Sequence, residues 1–274
     1  MNQKIKPSEY ENVQKKYLKY RSSEKVAREY SVEGSTIVKI LKKLNIKMFD
    51  EAGRKYYFKQ DIFNKGITSS DLSYILGILY ADGCNTKGNI ILGLQYKDSQ
   101  ILNKIKKVFD KKGKLLFVKR RKPHHQDKLR LELNSVKLSN DLKKLGMVEK
   151  KSLILKFPSE SIVPIEFMPD FIRGFFDGDG SVYFGEDNKI RVCLTSSLDF
   201  CNGMHNFLNS IGIKTSFRHY KNPLSKSIRI ESNSGSIKFY QYIYNKDTNL
   251  FMKRKRDKFN KYLSEPRNAA LLSL

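Results

Sequence analysis

Ile75–Gly83 reads I-L-G-I-L-Y-A-D-G, and Ile172–Gly180 reads I-R-G-F-F-D-G-D-G. Each nonamer is an apolar helical run that ends in small residues, one Asp and a Gly. Asp82 and Asp179 take the same place in the two copies. One carboxylate per repeated segment predicts a two-fold arrangement in which both acids meet at a seam. A seam of that kind can address both strands of a duplex at once.

The flanking sequence repeats as well. After the first motif helix (Asp71–Ala81) come a strand pattern at Asn89–Tyr96, a helix from Asp98 to Phe109, and strands at Gly113–Arg120 and Lys128–Asn134. The second copy supplies Lys189–Thr195, a helix from Leu198 to Ile211, and strands at Lys214–Tyr220 and Ser227–Ser232. Period-two alternation marks the strands and apolar spacing of three and four marks the helices. The expected fold class is α+β: tandem pseudo-two-fold αββαββα units, residues 68–165 and 166–264. A connector, 49–67, and a small all-α domain, 1–48, precede them; a tail, 265–274, follows and carries no functional signal.

The all-α segment reads as three short helices. Glu9–Arg21 places Tyr10, Val13, Tyr17 and Leu18 on one stripe, and Ser22 or Ser23 can cap Glu24–Tyr30. A third helix opens at Ser35 or the residue before it, with Ile37, Val38, Leu41 and Leu44 inward among lysines. The connector holds Arg54, Lys55 and Lys59, which could lie along a polyanion as well as in solvent.

The chain has 53 Lys+Arg against 28 Asp+Glu, a formal charge of +25, and the excess is spread over every segment. A continuous polyanion is the partner that uses so wide a field. The basic residues are interleaved with Tyr, Asn and Ser and not gathered on one amphipathic helix, which disfavours a membrane surface. There is no run of 18 apolar residues and no apolar signal core near the start. Three cysteines without paired spacing and four scattered histidines propose neither a disulfide frame nor a zinc site. A reducing cytoplasm, with association to nucleoid DNA in a phage, bacterial or organellar setting, is the expected compartment.

With these residues laid out, the chain resembles the LAGLIDADG homing endonuclease family in its single-chain, two-motif form, over roughly residues 68–262. The order V-A-x-x-Y-x-V-x-x-S-T-I-V-x-x-L around Ala27 resembles a helix-turn-helix, in which Gly34, Ser35, Thr36 and Lys39 would face the DNA groove. The resemblance implies two motif helices packed at the seam through Gly77, Ala81, Gly174 and Gly178. It implies Asp82 and Asp179 beside the two scissile phosphates as catalytic acids and metal ligands, with Ala81 and Gly178 completing the metal site. It also implies Mg²⁺ as the ion, with Mn²⁺ as a substitute. Lys151 and Lys253 best match the family's supporting lysines, with Lys150 and Lys255 as substitutes. Gln95 and Ser196 are weak candidates for orienting water. Tyr80 departs from the often acidic position that Asp177 keeps. Two four-stranded sheets would form a DNA saddle, presenting Lys119, Arg121, Lys128, Arg130 and Glu132 from one unit, and Arg191, Arg218, His219, Arg229 and Glu231 from the other.

The implied activity is a site-specific, Mg²⁺-dependent double-strand break in DNA, with 3′ overhangs, by a monomer encoded free-standing or within an intron. An intron-splicing maturase that binds its host RNA, and a non-catalytic DNA-binding regulator, are the alternatives. An intein-embedded form is not expected.

Overall fold

A computed structural model describes residues 5–20, 22–46, 58–119, 126–219 and 225–273. The chain forms two compact units, Met1–Tyr56 and Tyr57–Leu274.

In the first unit, a 3₁₀ turn at Pro7–Glu9 leads into α1 (Tyr10–Tyr20), followed by α2 (Ser23–Glu29) and α3 (Gly34–Lys43). Ser22 caps α2, its hydroxyl accepting from Lys25 N at 3.3 Å. Val13, Tyr17, Val26, Ala27, Ile37, Ile40 and Leu41 make one small core. Leu18, expected on the inner stripe, is instead 48% exposed, and Ile40 takes the buried place expected of Val38. A step of four from Val13 reaches Tyr17, and the next residue already points outward.

The second unit carries the two repeats. In the first, α4 (Ser70–Asp82) runs directly into β1 (Gly83–Thr86), then β2 (Asn89–Gln95), α5 (Ser99–Val108), β3 (Leu116–Val118), β4 (Lys128–Asn134) and α6 (Val136–Lys144). In the second, α7 (Met168–Asp179) runs into β5 (Gly180–Phe184), then β6 (Ile190–Ser197), α8 (Leu198–Ser210), β7 (Ser216–His219), β8 (Ser225–Ile230) and α9 (Asn233–Ile243), with α10 (Lys253–Leu263) closing it. Both sheets are antiparallel with the same order, β1-β2-β4-β3 and β5-β6-β8-β7. β1 and β5 are short strands without the apolar alternation that marks β2, β4, β6 and β8.

Alternation splits each sheet into a helix-covered face and an open face. Ile90, Leu92, Leu94, Leu131 and Leu133 are buried in the first, and Ile190, Val192, Leu194, Ile228 and Ile230 in the second. Serines cap the helices on this side: Ser69 for α4, Ser135 for α6, Ser197 for α8 and Ser232 for α9. The far half of the expected connector is part of this core, since Phe58 and Phe63 pack on Phe109 at 6.4 and 6.5 Å between ring centroids. The tail also packs, as a 3₁₀ segment from Pro266 to Ser273 in which buried Asn268 donates to Tyr262 O at 2.9 Å.

Candidate active site at the seam of the repeats

The two motif helices touch backbone to backbone. A β-carbon added at Gly77 would fall 2.1 Å from Phe171 O, and one at Gly174 would fall 2.1 Å from Tyr74 O. Near the helix ends, a β-carbon at Gly178 would lie 2.3 Å from that of Ala81. The four small residues expected at the crossing are therefore all in it. Every residue from Leu72 to Tyr80 and from Met168 to Asp177 is buried, so α7 emerges only at its C-terminal end and α4 only at its two ends.

Asp82 and Asp179 are the last residues of those helices, at the negative end of each macrodipole. Both carboxylates reach solvent, yet protein crowds round them. This partial desolvation is the largest influence on each and raises both. For Asp179 the nearby Asp82 charge raises it further, to about 6, against Lys151 and Lys255, which pull it down. Asp82 is drawn down by Lys255, Lys151 and Lys128. Among the described residues neither carboxylate has a hydrogen bond or an ion pair.

A lysine stands behind each helix end. Lys151 donates to Ala81 O at 2.7 Å. Lys255 is buried and donates to the carbonyls of Phe176 (2.5 Å), Asp177 (2.7 Å) and Gly180 (2.5 Å), with Gly178 O at 3.3 Å. These ammonium groups help to satisfy the carbonyls where each helix ends and the next strand begins, with Phe176 O also accepting from Gly180 N. Burial lowers both lysines, Lys255 to about 8, although the aspartates oppose it. Lys253 does not join this group: it is exposed and pairs with Asp257 at 2.5 Å. Residues 253 and 255 are both at the start of α10, and two helical steps turn the side chain by about 200°.

Gln95 stands on the open face opposite Lys128, its Oε1 buried without a partner. Ser196 has the wrong parity; Thr195 shares the open face with Arg191 and Cys193, and its hydroxyl meets Ser227 at 2.5 Å. Lys128, Arg130, Arg218 and Arg229 also lie on open faces, with Lys128 and Arg218 exposed. Lys119 is exposed just beyond β3. Arg191 is held by Asp187 at 3.1 Å, and Arg229 lies 3.8 Å from Glu231. In the three-helix unit Ser35 and Lys39 are exposed and Thr36 is half-buried, while Gly34 is covered by the Glu24 carboxylate. Arg54, Arg121 and the His219 side chain lie outside the described residues.

Residues 166–247 match the family model of the LAGLIDADG-like domain. This is a LAGLIDADG-fold protein. The homing endonuclease I-WcaI, solved bound to its DNA recognition sequence, superposes with a TM-score of 0.50 at 17% identity over 71% of this chain and 90% of that one. That likeness establishes the fold. Full-length DUF199/WhiA from Thermatoga maritima is similar with a TM-score of 0.48 at 16% identity, over 75% of this chain and 64% of that one. A probable translation initiation factor IF-2 of Methanocaldococcus jannaschii is 27% identical over 135 residues, 48% of this chain and 11% of that protein. The match thus spans about a tenth of that curated relative.

Two interior features of the LAGLIDADG helices escaped sequence reading. Arg173 is wholly buried and bonds Asp170 (2.6 Å), Leu250 O (3.0 Å), Ile243 O (2.7 Å) and Thr248 Oγ1 (3.2 Å). Asp177 is also buried, away from solvent and from Asp179's exposed edge. The i,i+3 pairing of Asp170 with Arg173 was the only local signal for the first; none exists for the second.

Proposed function

We propose that this protein is a site-specific DNA endonuclease that hydrolyses one phosphodiester in each strand at the seam, leaving 3′ overhangs. One observation carries the reading: Asp82 and Asp179 end crossed helices as unpartnered carboxylates, each with a partly or fully buried lysine behind it. Structural carboxylates are normally paired or hydrogen-bonded; two unpaired carboxylates, both raised chiefly by partial desolvation, are a functional arrangement. A regulator that only binds DNA has no need of two unpaired acids at the seam.

The donor set fits a hard divalent ion. Asp82 and Asp179 offer carboxylate oxygens at the seam, and among the described residues no cluster of three His, Cys, Asp or Glu exists to hold a metal alone. Mg²⁺ is commonly bound by one or two carboxylates with substrate phosphates completing its shell. Asp82 and Asp179 would hold it, with Ala81 O and Gly178 O, which also accept from Lys151 and Lys255, as the backbone oxygens offered beside them. When bound, it supplies Lewis-acid stabilisation of the phosphoryl group and the leaving 3′-oxygen.

The chain's own groups divide the remaining work. Lys151 and Lys255 offset the negative helix ends and present positive charge where phosphoryl charge develops. The open sheet faces, through Lys128, Arg130, Arg218 and Arg229, seat the duplex. The three-helix unit adds a second DNA contact through Ser35, Thr36 and Lys39. A mobile-element setting, free-standing or intronic, follows from that activity.

The test is incubation with a randomised duplex library and Mg²⁺, followed by sequencing of cut ends. Paired cuts at one sequence family support the reading. Cleavage no higher than that of the Asp82→Asn, Asp179→Asn double variant defeats it.

A further inference from the structure

Tyr80 and Asp177 occupy the same place in the two LAGLIDADG helices, each two residues before the exposed aspartate. Both are buried, and both reach from the motif helix to the segment that delivers a lysine. The Asp177 Oδ2 accepts from Met252 N at 2.7 Å and from Tyr74 OH at 2.7 Å. Met252 is the N-cap of α10, and Lys255 lies three residues on, its ammonium folded back onto the carbonyls around Asp177 itself. In the other repeat, Tyr80 OH donates to Leu145 O at 2.5 Å, and Lys151 follows six residues later. Gly146 makes room for that hydroxyl, since a β-carbon there would fall 2.1 Å from it.

The two connections have opposite polarity and unequal depth. Asp177 holds a backbone N–H and sits directly against a lysine with four carbonyls around it; Tyr80 holds a carbonyl and serves a lysine with one. A buried carboxylate accepting two hydrogen bonds is a rigid strut, because an unmade bond at such depth costs more than a surface contact.

We propose that Asp177 and Tyr80 are positioning residues, one per half-site, that clamp the lysine-bearing segments to the motif helices and so set the cutting competence of the two strands separately. This rests on the nuclease reading for its strand consequence, but the clamp itself does not.

The experiment compares Asp177→Ala, Asp177→Asn, Tyr74→Phe and Tyr80→Phe in the full chain. The first readout needs no cleavage: mass-spectrometric rates of amine acylation at Lys255 and Lys151 without metal. Asp177→Ala should speed Lys255 labelling by about tenfold, the scale of a lost buried hydrogen bond, and leave Lys151 unchanged. Asp177→Asn keeps an acceptor oxygen for Tyr74 and Met252 and should restore most of the protection. Tyr80→Phe should affect Lys151 alone. The second readout is strand-resolved cleavage of a selected target beside DNA affinity in Ca²⁺. Asp177→Ala should slow one strand and Tyr80→Phe the other, with affinity unchanged. If Asp177→Ala does not fold, Tyr74→Phe, which removes one of the two bonds, should shift Lys255 the same way by less. Unchanged Lys255 labelling in whichever of the two folds overturns the clamp, as does equal slowing of both strands. If the wild type cuts no duplex, the labelling arm still decides the clamp while the nuclease reading fails.

Discussion

Gly77 and Gly174 are mutual: each glycine lies against the carbonyl of the residue three places before the other, Phe171 and Tyr74, with a hypothetical β-carbon at 2.1 Å in both cases. The pseudo-two-fold axis passes between them. Backbone cannot yield as a flexible side chain can, so Gly77→Ala or Gly174→Ala must push the helices apart. A loss on the order of 3 kcal/mol or more is expected at either site. Gly93→Ala is the control, because its nearest neighbour is the Arg130 side chain at 3.5 Å. Urea denaturation checks all three; equal stability of the seam variants and the control would remove the crossing from the account.

The acids should cost stability where they serve function. Asp179 titrates at about 6 when folded, above its model-peptide value of 3.8. The folded state therefore binds more protons between those values, and stability falls as pH rises through the window. Asp179→Asn should melt higher than wild type at pH 7 in chelator, and the gap should close towards pH 4. Lys255 is the opposite case, lowered from 10.5 to about 8, so its burial destabilises least above 10.5 and most below 8. Mg²⁺ should raise the wild-type melting temperature and leave the Asp82→Asn, Asp179→Asn variant unmoved.

Removing the lysines separates them by place. Lys255→Met should lower cleavage by about 10² or more, the scale of losing one preorganised group that stabilises developing charge. Lys151→Met should do the same. Lys253→Ala, which loses only an exposed pair with Asp257, should cut at the wild-type rate. Single-turnover rates on one selected duplex test all three.

The three helices form a compact unit of their own, so if they bind DNA as proposed their contribution to affinity should be separable. Replacing Ser35, Thr36 and Lys39 together by alanine should weaken target binding at least tenfold and flatten its salt dependence, with Mg²⁺ affinity unchanged. Fluorescence anisotropy across a salt series reads both quantities.

Sequence reading reached the seam because its signals are local and repeated. Gly77, Ala81, Gly174 and Gly178 are small for one reason, close helix approach, and the aspartates follow them at fixed steps. It reached the sheets where alternation is strong and passed over β1 and β5, whose four and five residues follow the helices without a turn. Spacing in sequence favours Lys253 and does not say which face of α10 turns inward, where the structure places Lys255. Ser196 lies one residue off the open-face parity, which Thr195 keeps. The struts at Asp177 and Tyr80 were illegible, since their partners lie 75 and 65 residues away and nothing local distinguishes a buried acid from a metal ligand.

The most direct test of a shared two-acid seam is strand-resolved cleavage of a supercoiled target plasmid by Asp82→Asn and Asp179→Asn singly. Each should bind the target as wild type does, lose double-strand cutting, and leave weak or strand-biased nicking. Undiminished linearisation by either single variant would contradict a site in which both aspartates act together.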